Sequence, residues 1–183
     1  SANCKRGLEC ILESQILAAG RRTVWCQQHD ALTLQPTSAR NYEMPSQSGS
    51  ESADIMIFLM RLPKPDPKTV AAVHAAAAWF EKTGLRDVAY QPVGNDDRQL
   101  VRVPGAGPLW ARYYMLGTDR PRCGDRDKTI HDDVMEISKE RRKGYGWFGD
   151  NPSRALKEYR RWKDSHPIPN RTSRIRPRCG KSF

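Results

Sequence analysis

The stretch Ser48–Gly84, SGSESADIMIFLMRLPKPDPKTVAAVHAAAAWFEKTG, decides how the chain is read. Ser48 and Glu51 match the S-x-x-E capping box, in which side chains satisfy orphan backbone donors at a helix start. The spacing that follows predicts a helix with Ile55, Phe58, Leu59 and Leu62 on its buried face. PKPDP stops that helix, because proline lacks a backbone donor and clashes with the preceding turn. A second helix starts with Asp66 as N-cap and Pro67 at the first helical position. Val70, Val73, Ala77 and Phe80 form its core stripe, Gly84 ends it, and the alanines at 75–78 let a neighbouring helix come close.

Outward from this pair, residues 3–17 place Leu8, Ile11, Leu12 and Ile16 on one helical stripe, closed by Gly20. Residues 22–46 have no sustained period and carry two prolines, which predicts a long loop or short strands, ordered by Trp25 and Tyr42. Downstream, QLVRV and LWARYYML read as short strands joined by a Pro/Gly loop. A short helix then turns Val134 and Ile137 inward and ends near Gly144. A last helix starts at Asn151–Pro152 and carries Leu156, Tyr159 and Trp162. Together these elements predict an all-α, mainly helical fold with long loops and a few short β-strands.

With 183 residues, 38% hydrophobic and 28% charged, the chain suits one soluble domain with a sizeable core. Its net charge of +10 favours polyanionic partners, although much of the excess lies after residue 139. That region includes the basic end NRTSRIRPRCGKSF, and residues 167–183 are expected to be a disordered tail. No apolar run approaches the ~20 residues needed to cross a bilayer, so no membrane association is expected. The five cysteines (Cys4, Cys10, Cys26, Cys123, Cys179) show no metal-ligand spacing and are read as buried thiols, which leaves the compartment open.

Four arginines sit in unusual company: Arg40 in SARNYE, Arg112 in LWARYY, Arg126 in GDRDK and Arg141 in ERRKGY. Each adjoins an aromatic, a glycine or an acid, as arginines fixed by packing and hydrogen bonds do. A guanidinium fork grips a carboxylate with two parallel bonds, so converging arginines would hold a polyanion in one register. Taken singly, Arg126 also reads as a surface residue between two aspartates, and Arg141 as the basic end of a helix. Asp96–Asp97 and Asp132–Asp133 invite a calcium reading, but calcium takes six to eight oxygens and neither pair lies in a suitable loop. No metal-ligating residues are assigned. Nucleic acid is disfavoured, because no base-reading helix or aromatic-rich sheet accompanies the charge.

Four blocks carry a resemblance: RRTVWCQQHDALTLQPTSARNYEMPSQSGSES, PLWARYYML, RPRCGDRDKTIHDDVMEIS and ERRKGYGWFGDNP. In order and spacing they resemble the pectate lyases of polysaccharide lyase family 10, from about residue 4 to 166. The resemblance implies a toroid of paired α-helices, an α/α toroid, with residues 1–166 forming the later part of the catalytic domain. It implies cleavage of polygalacturonate by calcium-assisted β-elimination in a secreted, mostly bacterial enzyme, expected to be a monomer. Arg40 matches the arginine that removes the C5 proton as base, and Arg126 and Arg141 match arginines that bind substrate carboxylates. Arg112 matches a further one.

The same resemblance implies that an earlier half, with the aspartates tied to calcium, precedes this chain. The toroid is therefore expected to be incomplete, with Ca²⁺ ligands coming from substrate carboxylates and that other half. RPRCGDRD departs from the family in having Arg122 and Cys123 where bulky apolar residues are common. The competing expectations are a non-catalytic basic module that holds polyanions by charge alone, and an inactive truncated fragment.

Overall fold

The computed structural model describes residues 2–169, and the structural statements below concern those residues. The basic segment 170–183, with Cys179 and most of the expected tail, lies outside them. Helix α1 (Ala2–Glu13) buries Leu12 and turns Leu8 and Ile11 toward the core. Gly20 does not close this helix. It turns a hairpin of β1 (Leu17–Ala18) and β2 (Arg21–Arg22), where Ala19 and Gly20 both take positive φ. Two successive left-handed residues are what a tight hairpin turn needs to match strand twist.

After the long loop, β3 (Gln47–Ser48) leads into α2 (Ser50–Met60), and α3 (Pro67–Thr83) follows. Asp66 caps α3 by accepting the Thr69 N–H at 2.7 Å, and Gly84 terminates it. Val70, Val73, Ala77 and Phe80 are all buried, as their spacing predicts. The α2 expectation was only partly right. Leu59 is buried, but Phe58 is 48% exposed, and Met56, Ile57 and Met60 take the core positions.

The rest of the chain is rich in short strands: β4 (Val88–Val93), β5 (Asp97–Arg102), β6 (Trp110–Ala111), β7 (Tyr113–Tyr114), β8 (Pro121–Gly124), β9 (Ile130–His131) and β10 (Phe148–Gly149). A 3₁₀ turn, Val134–Glu136, and the one-and-a-half-turn α4 (Lys139–Gly144) separate β9 from β10, and α5 (Asn151–Trp162) closes the described fold. The sheets are antiparallel: β3-β7-β8-β9 with four strands, and the pairs β1-β2, β4-β5 and β6-β10.

This corrects the expected fold class. The described chain is 36% helix and 20% strand, a mixed helix-and-sheet fold and not an all-α toroid. A two-residue strand shows no alternation in sequence, so loops that were read as irregular carry sheet structure.

Helices α2, α3 and α5 pack around Trp25, Met56, Leu59, Val73, Phe80, Trp110 and Leu156, with Ala76 and Ala77 fully buried between helices. A second apolar cluster joins Tyr42, Tyr90, Tyr113, Cys123, Val134, Ile137 and Trp147. It is the floor on which the arginine-bearing segments rest. Cys26 and Cys123 are buried as expected, whereas Cys4 and Cys10 lie on the exposed side of α1.

Candidate active site

Segment 38–46 is held by local backbone geometry before any long-range contact. The Glu43 N–H donates to the Arg40 carbonyl at 2.8 Å, and the Arg40 N–H donates to Glu43 Oε2 at 3.0 Å. This tight turn puts Tyr42 into the second core cluster and leaves the Arg40 side chain 59% exposed. The turn is clamped to the GDRDK loop in two ways. Asn41 Nδ2 donates to the Arg126 carbonyl at 3.1 Å, and Gly124 lies flat against Tyr42, where a Cβ would come within 2.5 Å of the Tyr42 carbonyl oxygen.

The arginine on LWARYY is placed differently. The Arg112 carbonyl accepts the Gly49 N–H at 2.9 Å, and the Arg112 N–H donates to the Trp147 carbonyl at 2.7 Å. The residue therefore joins the start of α2 to the strand entering β10. Arg141 lies on α4, 5% exposed, with the Trp147 indole N–H bonded to its carbonyl at 2.9 Å.

These four arginines, read separately from the sequence, come together over two tyrosine rings. Tyr42 and Tyr145 meet edge to face, with centroids 5.1 Å apart. Over Tyr42 stand the guanidinium carbons of Arg141 at 4.6 Å, Arg40 at 5.0 Å and Arg126 at 6.0 Å. Over Tyr145 stand Arg112 at 4.8 Å, Arg40 at 5.7 Å and Arg141 at 5.9 Å. The negative face of an aromatic ring attracts each cation, so the rings set a geometry that the mutual repulsion of the cations would otherwise scatter. The alternative of Arg126 and Arg141 as independent surface charges does not describe this arrangement.

Each arginine also has a carboxylate, and sequence reasoning assigned none of these to the site. Arg40 Nη2 donates to Glu43 Oε1, whose side chain is 2% exposed. The same carboxylate accepts from Gln27 Nε2 at 3.0 Å and from the Tyr145 hydroxyl at 2.7 Å. Burial pushes the Glu43 carboxyl up, but the bonds from Arg40, Tyr145 and Gln27 outweigh it and bring the pKa down to about 2. Arg40 is in turn raised above its ordinary range, chiefly by its bond to Glu43.

Arg112 Nη2 donates to Glu51 Oε1, and the Ser48 hydroxyl donates to the other oxygen. The sequence read Ser48 and Glu51 as a capping box. In the structure Gly49 occupies the N-cap without a side-chain bond, and Glu51 is the counter-ion of Arg112. Glu140 lies between Arg126 and Arg141 and accepts from both. Phenol ionisation is disfavoured here, since burial pushes Tyr145 up to about 12 and Tyr113 higher still.

The acidic pairs that invited a metal reading are engaged elsewhere. Asp97 accepts from Arg142 Nε at 2.8 Å and Nη2 at 2.7 Å, Asp96 pairs with Lys139 at 2.8 Å, Asp132 pairs with Arg122, and Asp133 caps the 3₁₀ turn. A cleft of about 850 Å³ between the β1-β2 hairpin and α3 is lined by Leu17, Ala71, Ala75 and Ala78 and contains none of the four arginines. Within the cluster Arg40 and Arg126 are exposed, whereas Arg112 is half-buried and Arg141 buried.

Against known proteins, a family model described as pectic acid lyase matches residues 1–156. A solved family 10 polysaccharide lyase from Cellvibrio cellulosa is 34% identical with a TM-score of 0.79, covering 90% of this chain and 50% of that one. A mutant of a family 10 polysaccharide lyase from Cellvibrio cellulosa in complex with trigalacturonic acid gives the same identity and TM-score, with 89% and 50% coverage. The chain thus spans about half the length of these solved structures. No curated protein matches it. With most of its length matched by one family model and a likeness that extends over both sequence and fold, the chain belongs to the pectic acid lyase family.

Proposed function

We propose that the arginine cluster is the active surface of a pectate lyase, which cleaves polygalacturonate by β-elimination. The observation that carries this reading is the gathering of Arg40, Arg112, Arg126 and Arg141 over Tyr42 and Tyr145. Family membership and a family 10 lyase bound to trigalacturonic acid support it.

Galacturonate offers a planar carboxylate on every residue, matched to the guanidinium fork. Arg112, Arg126 and Arg141 bind those carboxylates. Arg40 removes the C5 proton as base, and the electron pair moves through the carboxylate as an enediolate. It then forms the C4–C5 double bond as the O4 leaving group departs. Guanidiniums fixed before the reaction stabilise the developing carboxylate charge, which is the usual large contribution to catalysis.

The base step has a definite cost. A guanidine with an ordinary pKa of 12.5 is neutral at pH 7 only at about 7 kcal/mol, at ~1.36 kcal/mol per pH unit, and the bond to Glu43 adds to that. The reading therefore places the activity at alkaline pH.

Calcium, which the resemblance implies, finds no complete ligand set among the described residues; on this reading its ligands are substrate carboxylates and groups of the family fold that lie outside this chain. No group of three His, Cys, Asp or Glu among the described residues could hold a metal. The three site carboxylates, Glu43, Glu51 and Glu140, are each taken by arginine. No step above runs through it. Because pectate is an extracellular polymer, we place the enzyme in the secreted compartment, as a monomer.

The test is the ultraviolet absorbance of the unsaturated uronate product, followed with the enzyme in its full natural length on polygalacturonate. The wild type is expected to generate product, and Arg40→Ala to lose at least about a hundredfold in kcat. Binding without product, or an Arg40→Ala variant with an unchanged rate, refutes the lyase reading in favour of a binding module.

A further inference from the structure

Glu140 fills the space between the two carboxylate-binding arginines. Arg126 donates Nε to Glu140 Oε2 and Nη2 to Oε1, both at 2.9 Å. Arg141 donates Nε to Oε2 at 3.1 Å and Nη2 to Oε1 at 2.7 Å. One carboxylate thus receives four N–H bonds, and each of its oxygens is shared between two guanidiniums. The Nε/Nη2 edge is one of the two guanidinium edges that match a planar carboxylate side by side, and on both arginines it is occupied.

Helix geometry does not require this contact. Neighbouring residues on a helix point in different directions, so the Glu140 side chain must fold back to reach Arg141. Glu140 is 56% exposed and Arg126 62% exposed, in water that screens the pair. The Arg141 side chain, in contrast, is 7% exposed and fixed over the Tyr42 ring, so the acceptor can leave while that fork stays in place.

Resting on the pectate reading above, the geometry points to Glu140 as an internal stand-in for a substrate carboxylate. It occupies the Arg126–Arg141 forks in the free enzyme and is displaced when a uronate carboxylate enters. A second carboxylate cannot use the same edges while Glu140 holds them, and two adjacent anions repel. Glu140 therefore acts as a built-in competitor. It keeps two like-charged guanidiniums paired until the ligand arrives, and it rejects anions too weak to displace it. The ligand class selected is one with a planar carboxylate on a rigid ring, presented in register with neighbouring carboxylates.

The experiment is calorimetric titration of trigalacturonate into the enzyme in its full natural length carrying Arg40→Ala, which on this reading binds without cleaving, alone and combined with Glu140→Gln, Glu140→Ala or Glu136→Gln. The last removes an exposed acid on the neighbouring 3₁₀ turn that faces His131. Both Glu140 variants are expected to bind about three- to tenfold tighter, because the competent state no longer has to be populated against the internal ligand. Glu136→Gln is expected to bind as Arg40→Ala alone does. Equal or weaker binding by both Glu140 variants, or an equal gain from Glu136→Gln, overturns displacement. So does a structure of the complex with Glu140 still accepting all four bonds. Absence of trigalacturonate binding by every form overturns the pectate reading itself, and displacement with it.

Discussion

Replacing Glu43 with glutamine tests whether the turn at 38–46 is held by charge. In the folded chain this carboxyl titrates at about 2 against an ordinary 4.5, with its side chain 2% exposed. At ~1.36 kcal/mol per pH unit that difference is worth at most about 3 kcal/mol at neutral pH. The Arg40 partner is 59% exposed and screened by solvent, which brings the expected contribution to about 1–2 kcal/mol. Because the folded pKa is depressed, this stability is fully present above pH 4.5 and is lost as pH falls toward 2.

Glu43→Gln keeps the shape and the acceptor oxygen but removes the charge. Urea unfolding at a series of pH values is therefore expected to show the variant about 1–2 kcal/mol less stable at pH 7. That gap should close between pH 4.5 and 2. Asp97 and Glu140 also titrate at about 2, but they are present in both proteins and cancel in the difference. A gap that stays constant over that pH range would mean Glu43 acts by shape alone, and the electrostatic account of the turn would fail.

Two further outcomes are expected. Gly124→Ala would drive a Cβ into the Tyr42 carbonyl, so the clamp between the Arg40 and Arg126 segments must open. Thermal unfolding should show a loss of about 2 kcal/mol, and activity should fall further than stability alone explains. The rate on polygalacturonate should rise about tenfold per pH unit through the alkaline range, following the small neutral fraction of Arg40. A plateau near neutral pH would exclude an unassisted arginine base, since neither Tyr113 nor Tyr145 ionises there.

What the sequence disclosed depended on how far each element's signal extends along the chain. Helix α3 shows its cap, its stripe and its terminator over nineteen consecutive positions, Asp66 to Gly84, and all of these are in place. In α2 the single-stripe reading misplaced Phe58, because the helix packs against both α3 and α5 and buries Ser52, Ala53, Met56, Ile57, Leu59 and Met60. One narrow stripe cannot describe a helix covered on two sides. QLVRV and LWARYYML were legible as strands and fall in β5 and in β6 and β7, whereas two-residue strands such as β1, β2 and β9 left no period to read.

At the site, the four arginines were visible through their neighbours, but the groups that organise them were not. Glu43 and Tyr145 are 102 positions apart and meet only through the fold. Glu51 was hidden because it also satisfied a capping pattern. Tyr42 and Tyr145 stood inside RNYE and RRKGY, where an aromatic beside arginine was a usable hint, though it could not say that two such segments share one floor.

The cluster also explains why net charge was a poor guide to the site. Arg40 is paired with Glu43, Arg112 with Glu51, and Arg126 and Arg141 share Glu140, so four cations face three anions before any ligand arrives. The chain's +10 therefore does not reside at this surface, and bulk charge cannot be what selects the ligand there. Selection must come from geometry: a ligand has to present planar carboxylates where the forks point. Lysines could carry the same charge but not that demand, because an ammonium is a compact point charge with no preferred plane. On the proposed lyase reading, a surface built in this way would discriminate a uronate chain from polyanions of equal charge, with Tyr42 and Tyr145 as the shared floor beneath the forks.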